Sequence, residues 1–247
     1  MKAWAWLAGG IGLYAVALAI LAPARLLDAR LDAASEGRLR LVSGEGTLWS
    51  GQAVAELRDD AGRRRWAAPL GWRLRPAALL AGRLDYRIVT APGASLASLS
   101  LSPSRVELSG LDLALPANAL AATLPDLAPW GVGGEVRVVA DRLGFGPAHA
   151  SGGLKLQWLA AGSLLSPVAP LGDYVLEAEA RDAGWQARLH TLAGPLQLSG
   201  QGAWPAGGVP DFEASARLPP ELQAELSPFL RLVAVERGDG SFQWRLH

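Results

Sequence analysis

From Leu39 to Leu246 the chain alternates apolar and polar residues with a period of two. Leu39 and Leu41 flank Arg40, Val136 and Val138 flank Arg137, and Leu154, Leu156 and Trp158 are separated by Lys155 and Gln157. The pattern returns in Trp185, Ala187 and Leu189, in Phe212, Ala214, Ala216 and Leu218, and in Phe242, Trp244 and Leu246. Successive side chains of an extended chain point to opposite faces, so each run predicts a strand with one apolar and one polar face. Turn signals separate the runs: Asp60-Ala61-Gly62, Ala91-Pro92-Gly93, Ser102-Pro103, Asp182-Ala183-Gly184, Ala193-Gly194-Pro195, Ala206-Gly207-Gly208 and Gly238-Asp239-Gly240. The prediction is a mainly β protein built on a twisted, curved antiparallel sheet. Leu156, Trp158, Trp185, Leu189, Leu198 and Trp204 should share its inner face, with Lys155, Gln157, Arg188 and Gln197 facing solvent. Short helices are expected over Pro76 to Ala81, Ala117 to Leu124 and Pro220 to Leu230, with Pro76, Pro116 and Pro220 at starts, where a missing N–H costs little. Their apolar surface is small, so the sheet is expected to cover itself by curling or by packing one part on another.

The strands also repeat. Trp72 corresponds to Trp158, the strand opened by Tyr86 to that opened by Tyr174, and Val106-Glu107-Leu108-Ser109-Gly110 to Leu196-Gln197-Leu198-Ser199-Gly200, at shifts of 86, 88 and 90. Leu115-Pro116 and its helix return as Leu218-Pro219 and a helix, at a shift of 103. We read two tandem β units, about residues 44–130 and 131–240, with the growing shift as loop insertions in the second.

Ahead of the strands, Ala3 to Ala22 (AWAWLAGGIGLYAVALAILA) carries no charge and no proline. As a helix it spans roughly 30 Å, the hydrocarbon thickness of a bilayer. Residues 1–23 are therefore expected to form a single transmembrane anchor, residues 24–37 a polar connector, and residues 38–247 the β-rich domain. Ala22-Pro23-Ala24 offers the small residues of a signal-peptide cleavage site, but the apolar run exceeds the ~7 to 15 residues of a signal peptide, which favours retention. The expected orientation is N-terminus cytoplasmic, with the bulk of the chain on the periplasmic side of a bacterial inner membrane.

Composition narrows the chemistry. The formal net charge is zero and the pI about 6.9, so no basic surface is set up to neutralise a nucleic-acid backbone. Without cysteine there are no disulfides, thiolate metal sites or cysteine nucleophiles. His149, His190 and His247 lack metal-ligand spacing, and no serine sits in a G-x-S-x-G elbow. Gly44-Glu45-Gly46 opens like a nucleotide fingerprint but has Trp49 where the third glycine belongs. Asp59-Asp60, followed by Gly62 and Arg63-Arg64-Arg65, reads as a solvated hairpin tip with its counter-charges rather than a catalytic dyad. No catalytic, cofactor or metal site is expected, and the chain reads as a non-enzyme. The distinctive stretch is Gly44 to Gly51 (GEGTLWSG). Its glycines allow close approach of a neighbouring strand and Trp49 brings a large apolar surface, a packed corner in which Trp72 plays a similar part; the alternative is a direct partner contact.

An N-terminal anchor followed by GEGTLWSG, GWRLRPAALLAGRL (Gly71 to Leu84), LPANAL (Leu115 to Leu120), LGDYVLEAEA (Leu171 to Ala180) and GPLQLSGQGAW (Gly194 to Trp204) resembles the type II secretion system protein N family, GspN. Gly46, Thr47, Trp49, Gly51, Trp72, Pro76, Leu80 and Gly82 carry the likeness most clearly, as structural positions. The resemblance implies an inner-membrane component of the general secretion pathway, a non-enzymatic assembly or accessory subunit whose partners are other secretion components. More remotely, the anchored, repeated β layout is similar to AsmA-like proteins, which implies an alternative: a lipid-binding or lipid-transfer module with an apolar groove.

Overall fold

The computed structural model describes Tyr14, Leu18 and residues 21–246 except 91–92, 125–126, 148, 182–183, 207, 210, 233 and 238–240. The anchor expected over residues 3–22 lies almost wholly outside the described residues. Among those described, no helix is long and apolar enough to cross a membrane.

The period-two segments form β1 (Leu39–Gly46), β2 (Ser50–Arg58), β3 (Arg64–Leu74), β4 (Leu84–Thr90), β5 (Ala94–Ser102), β6 (Arg105–Pro116), β7 (Val132–Phe145), β8 (Ala150–Ser163), β9 (Gly172–Arg181), β10 (Gly184–Ala193), β11 (Gln197–Pro205), β12 (Asp211–Arg217), β13 (Val235–Glu236) and β14 (Phe242–Leu246). All belong to one antiparallel sheet. Each strand pairs with its sequence neighbour until the end, where β12 pairs with β14 and β13 lies outside it. Short connections between antiparallel neighbours make this order the direct consequence of the turn signals.

Register carries the alternation across the whole sheet. Leu156, Leu176, Leu189, Gly200, Ala214 and Trp244 stand opposite one another in turn, and one residue along, Lys155, Glu177, Arg188, Gln201, Glu213 and Arg245 do the same. Leu156, Trp158, Trp185, Leu189, Leu198 and Trp204 thus share one face and Lys155, Gln157, Arg188 and Gln197 the other, as the alternation predicts. On the polar face charges meet across strands: Lys155 lies 2.8 Å from Glu177, and Arg137 grips Asp112 through two hydrogen bonds.

Three expectations need correction. Residues 25–34 of the connector form a helix, α1 (Arg25–Ala34), whose Leu27 and Leu31 lie four apart and pack on Leu41, Ala53, Ala55 and Trp72. The extra length in the second half is a strand as well as loop: β6 leads straight into α2 (Ala117–Ala121), whereas β12 intervenes between β11 and α3 (Gln223–Leu230). Finally, the sheet does not close on itself. Helices cover its two lateral ends, α1 over β1 to β4 and α3 over β11 to β14, where Leu226, Phe229 and Leu230 meet Ala216, Leu218 and Phe242. Between these caps Leu99, Leu108, Leu113 and Leu156 are only half-buried. The sheet does curl, because the β2–β3 hairpin and α2, three strands on, line one cleft of about 390 Å³.

Candidate functional site

β1 and β3 end, and β2 and β4 begin, at the same rim of the sheet. Here the motif GEGTLWSG makes a tight hairpin. Gly46 has φ +90°, and a Cβ on it would come within 2.5 Å of the Ser50 carbonyl, so only glycine fits. The Thr47 N–H donates to the Ser50 carbonyl at 2.9 Å, while the Thr47 hydroxyl accepts the N–H groups of Trp49 and Ser50 at 3.3 Å each. Gly51 stands opposite Trp72, and a Cβ at Gly51 would lie 2.6 Å from the indole. The missing side chain lets the Trp72 ring pack directly against β2 at Gly51, where it is 6% exposed. Its Nε1–H donates to the carbonyls of both Thr47 and Leu48, at 3.1 Å each, tying the hairpin to β3. Trp49 is half-buried, and its carbonyl accepts the Leu74 N–H at 2.7 Å. Gly46, Thr47, Trp49, Gly51 and Trp72 therefore converge on one corner.

Pro76, Leu80 and Gly82 lie beside them in the β3–β4 connection. Pro76 opens a 3-10 turn over Pro76–Ala81, and Gly82 closes it in the left-handed conformation, φ +67°. Leu80 projects from this turn, 95% exposed, and Leu79 is also exposed. The rim also meets the N-terminal segment: Pro23 bridges to Thr47, and the Leu48 N–H donates to the Ala22 carbonyl at 2.8 Å.

On the polar side of this corner is a cleft of about 720 Å³, floored by Gly51 and Gly71 and walled by Arg73, Arg75 and Arg87. Arg73 stands directly opposite Arg87. None of the three side chains has a hydrogen-bond or ion-pair partner among the described residues. The carboxylates nearby are engaged elsewhere: Glu45 accepts from Gln52, and Asp85 accepts from Ser100 and lies 3.9 Å from Arg83. Single-residue reading missed this cluster. Its one sequence signal is the two-residue spacing of Arg73, at the end of β3, and Arg75, just beyond it, and nothing local says that Arg87 joins them.

A model of the type II secretion system (T2SS), protein N, matches residues 37–245. The chain belongs to this protein N family. No curated protein and no solved structure gives a match. In this protein N chain the other sequence candidates stay apart. His190 lies exposed on the polar face of β10 and His149 in the exposed β7–β8 connection, while His247 lies outside the described residues. Among the described residues no group of three or more histidine, aspartate or glutamate side chains is arranged to hold a metal ion. Asp59 is not solvated as expected: it is 8% exposed, and Arg63 and Arg65 close over it. The Arg63 backbone N–H and the Arg63 and Arg65 guanidinium groups hold its carboxyl below the usual range against the opposing effect of burial. Asp60 stays exposed and pairs with Arg38 at 3.3 Å. A second tryptophan repeats the corner's bond: Trp158 Nε1–H donates to the Gly133 carbonyl at 2.8 Å, reaching back over the same 25 positions as Trp72 to Thr47.

Proposed function

We propose that the protein is a non-enzymatic assembly or accessory subunit of the type II secretion machinery, held at the bacterial inner membrane by residues 3–22. Its N-terminus is then cytoplasmic, its β domain periplasmic, and its partners are other secretion components. The family match over residues 37–245 carries this reading, because it takes in the sheet from β1 into β14. The long, apolar, uncharged N-terminal run supports the anchor. The matching bonds of Trp72 and Trp158 support two tandem β units, about 44–130 and 131–240. The test is deletion of the gene in a type II-secreting host. Exoproteins are expected to accumulate in the periplasm and to be exported again when the wild-type chain is restored; unimpaired export would refute the reading.

A second reading, the AsmA-like lipid-binding module, is favoured by one observation. Leucines in the middle of the apolar face are half-exposed between the helical caps, and open apolar surface of this kind recruits partners. Phospholipid that co-purifies with the full chain and is lost when Leu113 and Leu156 become aspartate would support an acyl-chain trough. Lipid-free protein would leave the secretion role alone.

A further inference from the structure

Arg73 and Arg87 face each other across an antiparallel pair, an arrangement that disfavours the sheet unless an anion lies between them. Elsewhere on the polar face the sheet supplies that anion itself, as at Arg137 with Asp112 and Arg245 with Asp211. At this rim it does not, and Arg75 extends the row. Directly beside it the 3-10 turn exposes Leu79 and Leu80, and Leu21 is exposed as well. The turn opens directly after Arg75, at the end of the arginine row, and exposed leucines next to unpaired arginines match an apolar layer beneath a layer of phosphates. The rim is also where the chain arrives from its apolar N-terminal run, since Leu48 is bonded to Ala22 and Thr47 bridges to Pro23.

We propose that this rim docks on an anionic phospholipid surface, with Arg73, Arg75 and Arg87 binding headgroup phosphates and Leu79 and Leu80 entering the headgroup layer. For the placement of the rim against the bilayer the inference rests on residues 3–22 being an anchor; the phosphate-binding chemistry of the rim does not. Docking fixes the orientation of the sheet relative to the membrane, which a single anchor helix alone does not. Guanidinium groups suit the task because their planar forks bind phosphate oxygens in pairs.

The chain contains no cysteine, so Leu80→Cys gives one site for the environment-sensitive fluorophore NBD. The full chain is reconstituted into vesicles of phosphatidylcholine alone or of equal parts phosphatidylcholine and phosphatidylglycerol. The label at position 80 is expected to brighten and shift to the blue with phosphatidylglycerol and to stay aqueous without it. A label at Leu164→Cys, 88% exposed at the opposite rim, should not respond. Changing Arg87→Gln should weaken docking about fivefold, and the triple change Arg73→Gln, Arg75→Gln and Arg87→Gln should abolish the response, each arginine contributing roughly equally at such a surface. The triple variant should melt no lower than wild type, because it removes opposed like charges. An equal signal at position 80 in both vesicles, an aqueous signal in both, or a response that survives the triple change would overturn the proposal. So would lost secretion in the triple variant with no lipid response in the wild type, which assigns the arginines to a protein partner. Alkaline carbonate reports on the anchor separately. A chain released by carbonate that still responds to phosphatidylglycerol would remove the anchor reading and leave the docking surface standing.

Discussion

Trp72 does two jobs with one ring: its apolar surface fills the space left by Gly51, and its N–H holds the hairpin carbonyls of Thr47 and Leu48. Trp72→Ala should therefore cost about 3–5 kcal/mol, as for large core aromatics. Trp49→Ala should cost distinctly less, since Trp49 is half-buried; urea denaturation of both variants measures the difference. Acid should act through a different set of residues. Asp28, held down by its hydrogen bond to Arg40, Glu56, held down by Arg58, and Asp59, held down by Arg63, all have lowered carboxyl pKa values in the fold. A depressed folded pKa gives stability that is present above the unfolded value, about 4, and is lost as pH falls through the folded one. Thermal stability is thus expected to be flat above about pH 5 and to fall below about pH 4, with a shallower fall in Asp59→Asn. The glycine and tryptophan positions of the corner were legible in the sequence because few residues can serve there. Asp59 was not, since an acidic pair in a turn looks solvated until Arg63 and Arg65 are seen to close over it.

At the scale of elements, α1 decides how the sheet begins. Asp28 accepts from Arg40 at 3.0 and 2.9 Å and from the Leu41 N–H at 2.8 Å, so a helical carboxylate occupies a donor on the outer strand. This blunts an edge that would otherwise pair with another chain. Asp28→Asn is expected to cost roughly 1–2 kcal/mol, the worth of partly exposed charged hydrogen bonds. Faster hydrogen exchange at the Leu41 amide would localise the loss; unchanged exchange would show that the carboxylate is dispensable at this edge. The sequence hid α1 because RLLDARLDAA carries four charged residues to three leucines, and only Leu27 and Leu31 pack against the sheet. β12 was hidden differently. Its alternation was legible, but its place between β11 and α3 depends on which strands pair.

For the whole molecule the consequence is an open sheet with helical caps at its lateral ends, one rim receiving the chain from its N-terminal run and the other carrying α2 and α3. If that run anchors the protein, intact-mass measurement of membrane-extracted chain should include residues 1–22, and alkaline-phosphatase fusions after residue 60 should be active. A mature chain beginning at residue 25 would show cleavage instead.

The sequence by itself determined the strands, their turns and the face to which each side chain belongs, because a period of two follows from the local geometry of an extended chain. It also carried the family likeness, which lies in the short glycine, tryptophan and leucine patterns. Tertiary structure alone decided that the apolar face stays open in its middle, that the connector folds back as α1, and that Arg73, Arg75 and Arg87 meet beside exposed leucines on one rim. These features depend on register and curvature, which are fixed by hydrogen bonds and packing between residues distant in the chain.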